Sequence, residues 1–96
     1  YSYSNTKALQ YAQMSGINES NLLKIVGLFQ MDEETVMTAA SLSQWLNITP
    51  RSCSRILLQL LDSGLIAEIE SLKHAGKGRP TRQYRFIRSR FLQVFF

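Results

Sequence analysis

Residues 38–66 constrain the fold more than any other part of the chain, because their pattern predicts two helices separated by a tight turn at Asn47. At the start of the second helix, the Thr49 hydroxyl can cap free N–H groups, and Pro50 suits the first helical position, where a missing N–H costs nothing. Gly64 can adopt the left-handed conformation that ends a helix. We therefore expect this helix to begin at residue 49 or 50 and to stop near residue 63.

The first helix of the pair is predicted over residues 39–46, with Thr38 as its cap. Its inward-facing residues are expected to be apolar: Ala39 or Ala40, Leu42, Trp45 and Leu46. Trp45 is expected to pack in the core rather than to stack on bases, because it shares a face with Leu42 and Leu46. Ile48 should fill the inner side of the turn. A short helix, a turn and a longer helix have the spacing of a helix-turn-helix, which ordinary helical hairpins share.

The second helix has two chemically different faces. Apolar residues at steps of three and four form the expected inward stripe: Cys53, Ile56, Leu57, Leu60 and Leu61. The remaining face is polar and basic: Arg51, Ser52, Ser54, Arg55 and Gln59. Such a face at a helix N-terminus can donate to phosphates and to base edges in the major groove of DNA. A solvated helix face is an equally weighted alternative on the arginines alone.

The region before this pair is predicted to be helical in part. Residues 1–17 are a linker or a short N-terminal helix, and the absence of a starting methionine suggests a domain of a longer protein. Asn18 can cap a helix over residues 19–30, which we expect to be the first helix of the core. Residues 36–37 are expected to form a very short strand.

After Gly64 the spacing of apolar residues changes from the helical period to the alternation of apolar and polar residues that is typical of a β-strand. Ala67 and Ile69 are expected to share the packed face with Tyr84 and Phe86. The connection over residues 71–81 is polar, basic and rich in glycine. The two predicted strands on either side of it are therefore expected to form a hairpin with a long basic tip. A hairpin after a helix-turn-helix is a wing. The predicted fold is therefore a winged helix-turn-helix, mainly α with a small β-hairpin (α+β), over residues 18–88.

The last eight residues, 89–96, form an apolar tail. Packing against the first helices and contact with a second copy of the chain are the two alternatives. Packing is favoured, because an exposed patch of this composition would promote aggregation.

The charge is concentrated in the second half, with a net −2 over residues 1–48 and +6 over residues 49–96. Residues 73–90 contain no carboxylate and seven basic residues: Lys73, Lys77, Arg79, Arg82, Arg85, Arg88 and Arg90. This asymmetry favours a polyanionic partner. The alternative is that these basic residues only keep the protein soluble.

Several classes of function are disfavoured. No apolar run approaches the length of a membrane span and the start does not resemble a signal peptide, so a cytoplasmic protein without a membrane partner is expected. Cys53 is the single cysteine, expected in the core, and His74 is the single histidine, so neither a disulfide nor a metal site is predicted. No cofactor is expected. The sequence lacks paired carboxylates and a phosphate-binding glycine loop followed by a helix, so an enzyme is not predicted.

Residues 22–86 resemble the C-terminal DNA-binding domain of bacterial two-component response regulators for citrate and C4-dicarboxylate metabolism. The resemblance is carried by three stretches: LLKIVGLFQ followed by an acidic loop, TAASLSQWLNIT, and GKGRPTRQYRF. It implies an output domain that follows a phosphorylated receiver domain, which is missing from these residues. The chain departs from the family pattern at Pro50, where an arginine after the cap is common. It also keeps only Arg55 of the two consecutive arginines that the family commonly has later in the helix.

The resemblance implies two groups of DNA-binding residues. The recognition-helix positions are Thr49, Arg51, Ser52, Ser54 and Arg55, and the wing positions are Lys77, Arg79 and Arg82. The wing tip is small enough to approach the backbone or the minor groove, with Arg79 as the inserted side chain. The expected function is sequence-specific binding of double-stranded DNA as a homodimer or tandem pair. A winged-helix protein-interaction module that never touches DNA is the alternative.

Overall fold

The computed structural model describes residues 4–69 and 82–96. These residues form five helices and a three-stranded antiparallel sheet. In chain order the elements are α1 (Asn5–Ser15), α2 (Glu19–Met31), β1 (Val36–Met37), α3 (Ala39–Leu46), α4 (Pro50–Asp62), β2 (Ile66–Ile69), β3 (Gln83–Phe86) and α5 (Arg88–Phe95). The arrangement from α2 to α5 is that of a winged helix-turn-helix, which confirms the predicted fold class.

The turn between α3 and α4 forms as its residues predict. Thr38 and Ser41 cap α3 reciprocally, since the Ser41 N–H donates to the Thr38 hydroxyl over 3.0 Å and the Thr38 N–H donates to the Ser41 hydroxyl over 2.9 Å. Asn47 ends α3 in the left-handed conformation at φ 58°. Two residues later Thr49 caps α4, accepting from the Ser52 N–H over 3.2 Å. The left-handed backbone of Asn47 and the side chain of Thr49 therefore fix the two helix ends at the turn.

The far end of α4 is closed by Gly64 at φ 76°. The N–H of Leu65 then donates to the Leu60 carbonyl over 3.0 Å, as in a glycine-terminated helix. Cys53 is 0% exposed and lies on the predicted inward stripe, with Leu61 at its half-buried margin. The predicted length and buried face of this helix are both confirmed.

Trp45 does not lie in the core, which corrects its predicted burial. Its side chain is 41% exposed, and its indole N–H donates to the Lys24 carbonyl oxygen on α2 over 2.9 Å. Tryptophan is amphipathic, so a position at the edge between two helices buries part of the ring while its N–H finds an acceptor. The spacing from Leu42 and Leu46 did not distinguish this edge from the core.

The sheet has the strand order β1-β3-β2, and β1 is the short strand predicted at residues 36–37. Ile66 lies opposite Phe86 and Glu68 lies opposite Tyr84. Residues directly opposite each other share a face, so Ile66 accompanies the buried Tyr84 and Phe86. The prediction that Ala67 and Ile69 lie on the packed face of β2 is therefore wrong. Ala67 and Ile69 occupy the other face, where both are half-buried.

The apolar tail forms α5 and packs within the chain. Phe91 and Phe95 are both 0% exposed. The Phe91 ring stacks on Phe29 of α2 with a centroid separation of 4.7 Å and meets Phe86 of β3 edge-on at 4.8 Å. An aromatic cluster therefore joins α2, β3 and α5, and the packing alternative for the tail is the one observed.

Helix α1 also belongs to the core, which corrects the expectation that the core begins at α2. Ala8 and Ala12 are buried in the same cluster as the core residues of the other helices. Tyr11 packs edge-on against Phe95 of α5 at a centroid distance of 5.5 Å, and the Ser4 N–H donates to the Phe95 carbonyl over 2.6 Å. Two alanines and a tyrosine gave too weak an apolar pattern to predict this packing.

Candidate nucleic-acid interface

The solvent-facing side of α4 carries three of the predicted contact residues, together with one leucine that was not predicted. Arg51, Ser54, Arg55 and Leu58 are all exposed. They are spaced at three and four residues, which places them on one side of the helix. We call these four residues the outer face of α4. Because the opposite side is packed in the core, this face is held in a fixed orientation towards solvent.

Thr49 and Ser52 lie at the N-terminal edge of this face, where they take part in the cap. Besides accepting from the Ser52 N–H, the Thr49 hydroxyl donates to the Ser52 hydroxyl over 3.1 Å. The Ser52 oxygen is the acceptor in that bond, so its own proton stays available for an outside acceptor such as a phosphate oxygen. Ser52 thus combines a structural role with a free donor, whereas Thr49 is occupied by capping.

Leu58 was missed by the sequence analysis. Its side chain is 58% exposed at the C-terminal end of the outer face of α4. The residue belongs to a run of apolar residues from 56 to 58, which concealed the fact that it lies seven residues after Arg51 and three after Arg55. Counting helical turns from the arginines would have found it.

The charge along this side of α4 changes sign. Arg51 and Arg55 lie in the first half, Leu58 follows, and Asp62 is exposed at the last helical residue. Phosphates are therefore attracted to the N-terminal half of the helix and repelled from its C-terminal end. This order favours entry of the N-terminal half of α4 into a groove of DNA.

Arg82 is the predicted wing residue that the structure describes. It precedes β3, and its Nε lies 3.7 Å from a carboxylate oxygen of Glu68, with both side chains well exposed. An exposed ion pair of this length contributes little stability, so Arg82 can exchange Glu68 for a phosphate at little cost. Lys77 and Arg79 lie outside the described residues, and their contacts stay predictions.

Two shallow grooves border the outer face of α4. The first, of about 240 Å³, lies between the start of α3, the middle of α4 and β3. Its lining includes Ala40, Ser54, Leu58 and Arg82. The second, of about 320 Å³, lies between α4 and the connection from α1 to α2 and includes Arg55. Arg82 and the α4 face are thus brought together across one groove.

Three other basic residues of the described chain lie away from the outer face of α4. The Arg90 Nε donates to the Ser63 carbonyl oxygen over 3.4 Å, at the C-terminal end of α4. The Arg88 Nε lies 2.7 Å from a carboxylate oxygen of Glu33. Arg85 is exposed on the outer side of the sheet, in register with Val36 and Ala67. Arg85, Arg88 and Arg90 therefore lie at three different places in the fold.

The described residues hold few groups suited to other chemistry. Cys53 is fully buried, and burial raises the pKa of its thiol from 9.0 to about 11, so it stays protonated and unreactive at neutral pH. Among residues 4–69 and 82–96 there is no cluster of three His, Cys, Asp or Glu residues that could hold a metal ion. None of the helices in this part of the chain is long and apolar enough to cross a membrane. His74 lies outside these residues.

Comparisons with known proteins support the fold. No protein-family model matches the sequence, and no curated protein matches it. A solved structure described as a possible transcriptional regulator from Methanosarcina mazei Go1 is similar, with a TM-score of 0.63 and 13% sequence identity. The similarity covers 88% of this chain and 72% of the other. At this identity the likeness concerns the fold alone.

Proposed function

We propose that the chain binds double-stranded DNA sequence-specifically as the DNA-binding part of a transcriptional regulator. The observation that carries the proposal is the outer face of α4, where Arg51 and Arg55 are exposed and form no ion pair with any described residue. An α-helix fits the major groove, and an arginine can donate two hydrogen bonds to guanine O6 and N7. The buried side of α4 keeps both arginines directed outward.

The surroundings of α4 agree with this role. Arg82 lies across a groove from Ser54 and Leu58, where its guanidinium can hold the DNA backbone while α4 contacts bases. Lys77 and Arg79 are proposed to continue this contact along the wing to the backbone or the minor groove. Such phosphate contacts position the protein, and the base contacts of α4 then supply the specificity.

The similar structure, described as a possible transcriptional regulator, supports the same class of function. The resemblance of residues 22–86 to citrate and C4-dicarboxylate response regulators supports a narrower proposal, namely that the chain is the output domain of a bacterial two-component regulator acting in the cytoplasm. A direct test is to sequence the gene upstream of the codon for Tyr1. A receiver domain encoded there supports the narrower proposal, and an unrelated domain rules it out.

The main test is the affinity of the chain for a pool of random duplexes, measured against salt concentration, followed by sequencing of the bound fraction. The logarithm of affinity should fall with the logarithm of salt by about 0.9 per phosphate contacted. An enriched motif is expected, and a repeated or palindromic motif would support the proposed homodimer or tandem pair. Absence of binding at low salt would contradict the proposal and favour a protein-interaction module.

A further inference from the structure

We propose that Leu58 is a specificity-determining residue that contacts the 5-methyl group of a thymine in the DNA site. This inference rests on the proposed function, because it requires α4 to lie in the major groove. Its evidence is the position, exposure and surroundings of the Leu58 side chain.

Leu58 lies on the same side of α4 as the two arginines proposed to contact bases. Each helical residue advances about 1.5 Å, so Leu58 lies roughly 4.5 Å along the axis from Arg55 and about 10.5 Å from Arg51. Successive bases of one DNA strand are about 3.4 Å apart. A helix that presents Arg55 to one base pair therefore presents Leu58 within about two base pairs of it.

The chemistry of leucine selects among base edges. In the major groove thymine alone carries a methyl group, whereas the other bases present hydrogen-bonding groups there. A leucine placed against the cytosine amino group or the guanine O6 would remove water without replacing its hydrogen bonds. A leucine placed against the thymine methyl group buries apolar surface on both partners. Contact with thymine is therefore the favourable pairing.

The surroundings of Leu58 indicate a nucleic acid rather than a protein partner. Arg55 lies three residues before it on α4, and Arg82 lines the same groove from the β3 side. Ser54 borders that groove as well, with a hydroxyl that can bond either a phosphate or a base edge. Leu58 lies between Arg55 and Asp62 on this side of α4, at the limit of its basic part, where an apolar group on a polyanion fits better than an apolar protein surface.

The experiment is a double-mutant cycle between protein and DNA. Each thymine of the selected site is replaced in turn by deoxyuridine, which removes the methyl group and leaves every hydrogen-bonding group in place. Affinities of the wild-type chain and of Leu58→Ala are compared on each duplex. Loss of one methyl contact should weaken wild-type binding roughly three- to fivefold at one thymine. The same replacement should leave the affinity of Leu58→Ala unchanged.

The controls separate this inference from the function on which it rests. Leu58 is largely exposed, so Leu58→Ala should keep the wild-type unfolding midpoint, and Gln44→Ala, an exposed change on α3, is the matched variant that should retain the wild-type methyl dependence. If wild-type protein binds no duplex, the proposed function fails and the inference with it. If it binds specifically but no thymine shows coupling to Leu58, the inference alone is overturned.

Discussion

The Tyr11 hydroxyl donates a hydrogen bond to the Ser63 hydroxyl over 2.7 Å and so joins α1 to the residue that ends α4. Arg90 of α5 donates to the main-chain carbonyl of the same serine. The C-terminal end of α4 is thus attached to two other helices, while the outer face of its N-terminal half is open to solvent. Helix α1, which lies outside the predicted winged helix, therefore helps to fix the orientation of the proposed recognition helix.

The first prediction concerns this connection. Tyr11→Phe removes the donor to Ser63 but keeps the ring against Phe95, so the free energy of unfolding should fall by about 0.5 to 1.5 kcal/mol, the usual net value of a hydrogen bond. Urea denaturation of wild type and variant measures the change. In a Ser63→Ala background the same tyrosine substitution should cost much less. Equal costs in both backgrounds would show that the hydrogen bond does not stabilise the fold.

The second prediction concerns the apolar tail. Phe91→Ala removes a fully buried ring from the cluster with Phe29 and Phe86, and such a change costs about 3 to 5 kcal/mol. Gln93→Ala, an exposed change on the same helix, should alter stability by less than about 0.5 kcal/mol. Thermal unfolding of the two variants beside wild type measures both. A wild-type-like Phe91→Ala would mean that α5 does not contribute to the core.

The elements around α4 could be predicted because their ends are encoded by local chemistry. Thr38, Asn47, Thr49 and Gly64 each satisfy a helix end or a turn through their own side chain or backbone conformation, and the structure places each of them as predicted. The alternation of buried and exposed residues along α4 likewise depends on the helix period alone. Tertiary contacts were not needed for these predictions.

The remaining features depend on contacts between distant residues. Trp45 finds its acceptor at Lys24, and Tyr11 finds Ser63 on another helix. The core face of β2 depends on the pairing of Ile66 with Phe86, because a shift of one residue exchanges the two faces of a strand. None of these relationships leaves a local pattern in the sequence.

The third prediction concerns pH. Because the pKa of the buried Cys53 thiol is raised from 9.0 to about 11, the unfolded chain releases this proton at a lower pH than the folded chain. The contribution is fully present below pH 9 and is lost as pH rises through about 11. The total loss should be about 2 to 3 kcal/mol, at 1.36 kcal/mol for each pKa unit.

Denaturation with urea at a series of pH values measures this dependence. Burial also raises the pKa of Tyr11, so ionisation of this residue likewise lowers the free energy of unfolding as the pH rises above 10. Cys53→Ala is therefore the control, since the variant should lose only the part of the pH dependence that belongs to the thiol. Parallel curves for wild type and Cys53→Ala between pH 8 and 11 would contradict the assigned burial.

The fourth prediction distinguishes two arginines at opposite ends of the α4 region. Arg55→Ala should weaken binding to the selected DNA site by about 1 to 3 kcal/mol and relax its sequence preference, because Arg55 is proposed to contact a base. It should leave the free energy of unfolding nearly unchanged, since Arg55 is exposed and forms no ion pair with a described residue.

Arg90→Ala is the matched substitution. Its guanidinium bonds the carbonyl of Ser63 at the end of α4, so its loss should lower stability by roughly 0.5 to 1 kcal/mol while the sequence preference for DNA stays the same. Urea denaturation and affinities for the selected and a scrambled duplex, measured for both variants, give the comparison. If Arg90→Ala changed the preferred sequence and Arg55→Ala did not, the N-terminal half of α4 would not be the part that reads DNA.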